Sequence, residues 1–189
     1  MGFLQELDEH HDAMAGVRAL ASEFERIAGR MTESVRDGGT VVWFGNGGSA
    51  AQAQHLACEL VVRYERERPS IASVALTTDT SILTAEPNDH SFEQVFARQV
   101  EALVHAGDVA VALSTSGNSP NVLRGVEAAA ARGAYTVGLT GGDGGKLASL
   151  VDDALVVAAS RTSRVQEAHL FLGHLLCAQV EAAIAKDAG

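Results

Sequence analysis

The sequence predicts an α/β fold in which helices cover both faces of a parallel sheet. Short apolar runs alternate along the chain with longer helical segments, and within each run the apolar residues are continuous. Continuous runs are typical of parallel strands that are buried on both faces. Gly- and Ser-rich turns follow three of the runs, where an open α/β sheet collects its ligands. The predicted strands are residues 40–44, 72–76, 109–113, 135–139 and 154–157.

Helices are predicted before, between and after these strands. Residues 3–36 form the first, because apolar side chains recur at spacings of three and four, and Gly38 and Gly39 follow where helices commonly end. Such a narrow stripe leaves two options open, packing on the chain's own sheet or pairing with a second copy. The stripe consists of Met14, Val17, Ala21, Phe24, Ala28, Met31 and Val35. The other helices are predicted at residues 49–63, 92–104, 121–131 and 163–186.

Length, composition and charge limit the classes of function. A chain of 189 residues with 47% hydrophobic content can bury one core, so we expect a single domain over residues 1–189. Within it, an N-terminal helix at 1–36 precedes an α/β core at 37–189. The N-terminus is acidic, and no uncharged apolar run reaches about 18 residues, so we expect a cytoplasmic protein with no membrane partner. The net charge of −10 argues against nucleic acid as a partner.

Several smaller features are expected to be structural. Cys58 and Cys177 lie in apolar helical patterns, so we expect two reduced thiols that are buried as small hydrophobes. Residues 65–69 are predicted to be a charged surface connection, and residues 87–89 a turn. His169 is predicted to be structural. Four histidines are expected to be solvated, namely His10, His11, His90 and His105.

Three segments repeat one pattern, a strand followed by a Gly- or Ser-rich turn and then a helix. They read VVWFGNGGS at residues 41–49, VALSTSGNS at 111–119 and VGLTGGDGG at 137–145. In an open α/β sheet, ligands bind at the carboxyl ends of the strands, where all three turns must lie. We therefore expect the binding site at that edge of the sheet.

The second of these segments predicts a phosphate-binding loop. Four hydroxyl side chains and a glycine lie within residues 114–119, between a buried strand and a helix. Hydroxyl donors and free N–H groups at a helix N-terminus form a cradle for a dianionic phosphate without needing net positive charge. The alternative is an ordinary N-cap, but a cap needs only one such side chain.

The first segment resembles a dinucleotide-binding turn, with Gly45, Gly47 and Ala50 spaced as G-x-G-x-x-A. A dinucleotide site would normally place an acid about 20 residues further on, where it binds a ribose hydroxyl. The nearest candidate, Asp79, comes late for that role. We therefore expect no nucleotide cofactor, and a small sugar phosphate lying between the first two turns.

A second group of polar residues lies on two predicted helices. His55 and Glu59 are four apart and share one helix face, where they could transfer protons or bind a metal, although an isolated pair of this kind is usually a surface contact. Gln166 and His174 on the last helix are eight apart, which is about 12 Å of rise and about 80° of rotation. One straight helix hardly brings both to one small ligand. A site between subunits is one way for both to serve the same chemistry.

Five segments resemble the phosphoheptose isomerases of the sugar isomerase (SIS) superfamily, and the resemblance covers nearly the whole chain. It implies a three-layer α/β/α sandwich with a five-stranded parallel, flavodoxin-like sheet, assembled as a homotetramer with sites between subunits. It also implies interconversion of sedoheptulose 7-phosphate and D-glycero-D-manno-heptose 7-phosphate, the first step towards activated heptose. The segments are GNGGSAAQAQHLACEL, EPNDHSFEQVFARQVEAL, STSGNSPNVL, LTGGDGGKLA and RVQEAHLFLGH.

The resemblance also implies roles for individual residues. Glu59 would be the catalytic base and His174 its acid partner. Some members of the family bind zinc, and the corresponding ligands here would be His55, Glu59, Gln166 and His174. The residues lining the substrate would be Asn46, Gly47, Gly48, Ser49, Glu59, Asn88, Asp89, Ser114, Thr115, Ser116, Ser119 and Gln166.

The chain departs from the family pattern at one place. Many relatives carry an acid a few positions before the RIQE-like segment, where this chain has residues 160–163, SRTS, so recognition of the open or ring form of the sugar is expected to differ.

Three alternative functions fit the sequence less well. A non-catalytic SIS tetramer that binds a partner such as a replication initiator would not need Glu59 and His174 together. A sugar-phosphate sensor would normally carry a DNA-binding segment, which this acidic sequence does not show. A nucleotide-dependent oxidoreductase would carry the ribose-binding acid about 20 residues after the glycines, which is missing here.

Overall fold

The structure, a computed structural model, describes residues 2–187, so residues 1, 188 and 189 of the predicted domain lie outside the described part. The strands are β1 (Val41–Gly45), β2 (Ser73–Ala75), β3 (Val109–Ser114), β4 (Tyr135–Gly141) and β5 (Asp153–Val157). All their pairings are parallel, in the order β2-β1-β3-β4-β5. This is the flavodoxin-like order, in which the chain reverses direction across the sheet between β1 and β3. The predicted fold class is confirmed, and each predicted strand overlaps an observed one.

The helices surround this sheet. The α-helices are α1 (Phe3–Val17), α2 (Ala21–Arg36), α3 (Gly48–Val61), α4 (Thr80–Asp89), α5 (Ala97–Leu103), α6 (Pro120–Ala131), α7 (Gly145–Leu150) and α8 (Thr162–Asp187). Two 3₁₀ turns occur at Arg18–Leu20 and Phe92–Gln94.

Two apolar cores lie on opposite faces of the sheet. On one face, Ile27 of α2 and Leu56 of α3 are buried in the same cluster as Trp43 of β1. On the other face, Val126 of α6 is buried with Phe44 of the same strand. Successive side chains of a strand point to opposite faces, so neighbouring residues of β1 enter different cores. This arrangement confirms the three-layer sandwich.

The N-terminal region is two helices rather than the single one predicted at residues 3–36. Leu20 leaves helical geometry, with φ −91° and ψ 7°, and Gly16 weakens the helix just before the intervening 3₁₀ turn. Phe24 and Met31 of α2 are buried in the core, whereas α1 lies along α8. The second half of the apolar stripe therefore packs on the chain's own sheet, the first of the two options that the sequence left open.

Residues 87–89 form the last turn of α4, so the turn predicted there is wrong. Asp79 begins this helix, because its Oδ1 accepts hydrogen bonds from the N–H groups two and three positions further on, at 2.9 and 3.1 Å. This is the usual geometry of an N-cap, and it outweighs the helix-breaking tendency of Pro87. The helix predicted at 92–104 is also shorter, since the 3₁₀ turn Phe92–Gln94 precedes α5.

Burial corrects two smaller expectations. Cys177 is buried as predicted, but Cys58 is exposed, because it lies off the buried face of α3. His10 is not simply solvated, since its Nδ1 lies 2.8 Å from the carboxylate of Glu167 on α8. His169 is fully buried, with Nε2 at 3.1 Å from the carbonyl oxygen of Thr140, which agrees with a structural role.

Helix α8 is long and apolar enough to cross a membrane, and it is the one such helix within residues 2–187. The core helix of a soluble protein meets the same criterion. Here α8 packs along α2 and α3, and Val165, Leu172 and Val180 are buried in the core. Packing inside the fold accounts for its apolar length.

Candidate active site

The first two turns meet at the switch point between β1 and β3. Asn46 follows β1, and Asn121 lies in the first turn of α6, which follows β3. Their side-chain amides bond each other in both directions, with both N···O distances at 2.8 Å. Gly45 permits the close approach of the strands, since a Cβ there would lie 2.6 Å from the carbonyl oxygen of Leu113. The two strand ends are thus held together where open α/β sheets bind their ligands.

The serine-rich loop turns its hydroxyls towards each other at the start of α6. Ser119 occupies the N-cap position of this helix, yet its side chain makes no capping bond. Its Oγ accepts a hydrogen bond of 3.2 Å from the hydroxyl of Ser114 instead. The side-chain bond of an ordinary N-cap is therefore absent at Ser119. Hydroxyls converging at a helix N-terminus are suited to a phosphate.

The third Gly-rich turn supports this loop from behind. The N–H of Leu147 donates to the carbonyl oxygen of Gly117 at 2.9 Å, and the side chain of Asn118 accepts from the N–H of Lys146 at 3.2 Å. Gly117 has φ +63°, and a Cβ there would lie only 2.0 Å from the carbonyl oxygen of Gly144. Glycine is therefore required at residue 117, and the turn after β4 fixes the shape of the loop after β3.

Three side chains suited to proton transfer or metal binding meet between α3 and α8. Oε1 of Glu59 lies 3.3 Å from Nε2 of His55, which is one turn earlier on α3. Nε2 of His174, on α8, lies 2.8 Å from the same nitrogen. The side chain of Glu59 is 17% exposed and that of His55 is 47% exposed, so the cluster is open to a ligand on one side.

The geometry fixes how this cluster shares its protons. At 2.8 Å, only one proton fits between the two imidazole nitrogens, so at least one ring carries a lone pair there. Burial lowers the pKa of His174 below its ordinary value, His55 lowers it further, and Glu59 offsets part of the effect. The ring of Tyr64 lies against His174, with centroids 5.4 Å apart and the planes inclined by 30°. His174 is thus mainly neutral near pH 7 and can exchange a proton through Nε2.

The same three atoms suit a metal ion. The ligand atoms of His55, Glu59 and His174 all lie within 4.8 Å of one another. Imidazole nitrogens with a carboxylate oxygen are a donor set that zinc accepts, and tetrahedral bonds of about 2.1 Å space the donors roughly 3.4 Å apart. The observed separations of 2.8 and 3.3 Å are close to that spacing. The donor set therefore fits zinc after a slight separation of the two rings.

Comparison with known proteins identifies the family. Residues 7–141 match the family model described as SIS domain. The chain is 49% identical over 182 residues to the phosphoheptose isomerase of Paramagnetospirillum magneticum, an alignment that covers 96% of this chain and 95% of that protein. It is 50% identical over 168 residues to the phosphoheptose isomerase of Aquifex aeolicus, covering 89% and 88% of the two chains. The chain belongs to the phosphoheptose isomerase family of SIS-domain proteins.

A solved structure from this family agrees closely with the fold. The structure of phosphoheptose isomerase GmhA from Neisseria gonorrhoeae superposes with a TM-score of 0.90 at 42% sequence identity. The superposition covers 95% of this chain and 96% of that chain, so nearly the whole fold is shared.

The structure does not bring every residue implied by the family to the cluster. The amide of Gln166 lies at the start of α3, since a Cβ on Gly48 would meet its Nε2 at 2.5 Å. Gly48 precedes His55 by seven residues, or about 10 Å along the helix axis. Asn88 donates to Asp89 at 2.8 Å, and both are exposed at the end of α4. For these three polar side chains, a role as metal or substrate ligands stays a prediction.

Three polar residues around the site escaped the sequence analysis. Asn121 is buried directly after the proline that starts α6, and its position in that first turn was a usable signal. Arg68 departs from the surface connection predicted at residues 65–69, because its side chain is fully buried whereas the other four residues are exposed. Its partner is Glu181, an acid that is buried among apolar residues in the second half of α8.

Proposed function

We propose that the protein is an aldose–ketose isomerase that interconverts sedoheptulose 7-phosphate and D-glycero-D-manno-heptose 7-phosphate, the first step towards activated heptose. The observation that carries the proposal is the cluster of His55, Glu59 and His174 between α3 and α8, together with the hydroxyl-lined turn that follows β3. Relatives that are 46–54% identical and bear the name phosphoheptose isomerase support it. The reaction involves no net oxidation and needs no nucleotide cofactor.

The phosphate is held at the N-terminal ends of α3 and α6. Ser114 and Ser119 supply hydroxyls, and Ser49 is buried in the first turn of α3 beside the bonded pair Asn46 and Asn121. Thr115, Ser116, Gly47 and Gly48 complete this set of substrate ligands. Neutral donors at helix N-termini bind a dianion even though the protein carries a net charge of −10. Anchoring the phosphate fixes the far end of the sugar.

Proton transfer takes place further along α3. Glu59 removes a proton from C1 of the ketose, which leaves an enediolate, and returns it to C2 to give the aldose. Side chains of a helix tilt towards its N-terminus, so the carboxylate reaches back in the direction of the bound phosphate. His174 moves protons on the sugar oxygens, a role that suits a ring held mainly neutral near pH 7.

Zinc would be held by the same cluster. His55, Glu59 and His174 provide three donors within 4.8 Å of one another, and Gln166 is proposed as the fourth. When bound, zinc supplies Lewis-acid polarisation of the sugar carbonyl.

We also propose that the protein is a cytoplasmic homotetramer, a single domain in which residues 1–36 contribute to assembly. Phe3 and Leu4 of α1 are 80% and 70% exposed, and Phe171 and Leu175 lie one turn apart on the outer face of α8. Exposed apolar side chains grouped in this way are typical of an interface. Sites completed between subunits would bring Gln166 and His174 to one substrate despite their spacing on α8.

The test is a Glu59→Gln variant, which keeps the shape of the side chain but cannot accept the proton. A positioned general base contributes about 10²- to 10⁴-fold, so we expect kcat to fall by at least that lower bound. Glu67→Gln is the matched control, because that side chain is 92% exposed on the connection that follows the same helix. Conversion of sedoheptulose 7-phosphate at near wild-type rate by the Glu59→Gln protein would show the assignment to be wrong. A non-catalytic SIS protein has no use for the cluster and would show no conversion at all.

A further inference from the structure

A buried ion pair lies directly behind the proposed catalytic residues. Glu181 belongs to the second half of α8, and Arg68 to the connection between α3 and β2. Their side chains are 1% and 0% exposed, and Nε of Arg68 lies 3.4 Å from Oε1 of Glu181. The same carboxylate accepts hydrogen bonds of 2.8, 2.7 and 2.9 Å from the backbone N–H groups of Tyr64, Glu65 and Arg66.

The pair carries a cost of burial that its partners offset. Burial alone would raise the pKa of Glu181, but the three backbone donors and Arg68 outweigh this and hold the pKa below its ordinary value. The carboxylate therefore stays ionised at neutral pH. A buried ion pair adds little net stability compared with apolar packing. The role of this pair is therefore to fix one arrangement of the chain.

Arg68 bonds the backbone of Glu59 directly, and Glu181 is linked to His174 through Tyr64. Nη2 of Arg68 donates to the carbonyl oxygen of Glu59 at 2.8 Å, in the last turn of α3. Tyr64, whose N–H bonds to Glu181, places its ring 5.4 Å from the ring of His174. His174 and Glu181 are seven residues apart on α8, which is close to two full turns and puts them on one face. One network thus joins the end of α3, the turn that follows it, and α8.

We propose that Glu181 and Arg68 are positioning residues that hold Glu59 and His174 in register for proton transfer. This inference rests on the proposed function and extends it to two residues outside the set implied to touch substrate or metal. The pair contacts the C-terminal end of α3, whereas the phosphate-binding turns lie at its N-terminal end, about 16 Å away along the helix. Disturbing the pair therefore slows the chemical step and leaves phosphate binding intact.

Steady-state kinetics on two variants test the proposal. Glu181→Gln removes the charge opposite Arg68 and sets an NH₂ group against backbone N–H donors. Arg68→Lys keeps the charge but loses the fork that bonds the carbonyl of Glu59. A displacement of about 1 Å can cost about 10²-fold in rate, so we expect kcat to fall about 10- to 100-fold in both, with KM for sedoheptulose 7-phosphate within about threefold of wild type.

Asp153→Asn is the matched control for general destabilisation. Asp153 is also an ion-paired carboxylate, bonded to Nε of Arg26 at 2.7 Å and to the hydroxyl of Tyr135 at 2.5 Å. It lies at the amino end of β5, the edge of the sheet opposite the site. We expect this variant to unfold at a lower temperature than wild type while keeping the wild-type kcat.

A spectroscopic measurement separates this inference from the proposed function. The ring ¹H–¹⁵N signals of His174 should shift in Glu181→Gln and Arg68→Lys and stay unchanged in Asp153→Asn, whether or not the protein turns over a heptose phosphate. If Glu181→Gln fails to fold, Arg68→Lys carries the same expectations. Folded variants with wild-type kcat and unchanged His174 signals would overturn the proposal, as would an equal loss of kcat in Asp153→Asn. A wild-type protein that fails to isomerise the substrate would refute the proposed function instead.

Discussion

Replacing Gly173 with alanine tests whether the close approach of α3 and α8 sets the geometry of the active site. A Cβ at residue 173 would lie 2.4 Å from Cδ1 and 2.7 Å from Cδ2 of Leu56, whereas ordinary contact begins at 3.4 Å. The two helices must therefore separate by about 1 Å, or Leu56 must leave its rotamer. Overpacking costs about 1–3 kcal/mol, and alanine regains about 0.5–1 kcal/mol of helix propensity, so we expect a net loss of about 1–2 kcal/mol.

The same separation acts on catalysis, because Leu56 and Gly173 are the sequence neighbours of His55 and His174. The Nε2 atoms of these two rings lie 2.8 Å apart, so a displacement of about 1 Å is large on the scale of proton transfer. We expect kcat of the Gly173→Ala protein to fall about 10- to 100-fold, with KM little changed, since the turns proposed to bind the phosphate are elsewhere. Urea unfolding followed by circular dichroism and a coupled isomerase assay measure the two effects.

A double-mutant cycle with Leu56→Ala isolates the contact itself. Leu56→Ala alone leaves a cavity and costs about 2–5 kcal/mol, but the new methyl of Gly173→Ala fills part of it. The double variant should therefore be at least about 1 kcal/mol more stable than the sum of the single effects predicts. Gly29→Ala on α2 is the control, because a Cβ there meets nothing within 4 Å. The reasoning would be refuted if the Gly173→Ala protein kept the wild-type kcat, were as stable as the Gly29→Ala protein, and showed additive effects with Leu56→Ala.

Two further predictions concern His169 and Ser119. Burial lowers the pKa of His169 to about 4, so the unfolded chain binds more protons than the native one between about pH 6.5 and pH 4, and native stability falls as the pH drops through that range. Lowering the pH from about 7 to about 5 should cost the wild type about 2 kcal/mol more in urea unfolding than it costs His169→Asn; equal losses would contradict the buried neutral ring. Ser119→Ala removes a hydroxyl from the proposed phosphate site. A hydrogen bond to a charged group contributes about 1.5–3 kcal/mol, so KM should rise about 10- to 100-fold with kcat nearly unchanged. An unchanged KM would place the phosphate elsewhere.

The sheet could be predicted from the sequence because its strands are buried on both faces. β1 and β3 are continuous apolar runs, and each ends in a Gly- or Ser-rich turn, so local pattern and tertiary burial agree. Helix α4 was not predicted, because Pro87 in its last turn was interpreted as a turn signal and Asp79 was not recognised as an N-cap. The exposure of Cys58 was also predictable in principle, because the periodicity of α3 places it outside the buried stripe.

The candidate site was only partly accessible to the same reasoning. Helix periodicity placed His55 and Glu59 on one face, but the approach of His174 depends on how α8 crosses α3, which no local pattern encodes. Arg68 shows the limit most clearly. A charged run is normally solvated, and the burial of this guanidinium depends on Glu181, which lies on a different helix in the distant C-terminal part of the chain.

Hydrogen exchange during turnover tests the central claim most directly. With sedoheptulose 7-phosphate in deuterated water, a carboxylate that carries the proton between C1 and C2 can exchange it with solvent. The account predicts deuterium at C2 of the aldose formed by the wild-type protein, and loss of this incorporation by at least about 100-fold in Glu59→Gln. Deuterium entering C2 at the wild-type rate in the Glu59→Gln protein would contradict it.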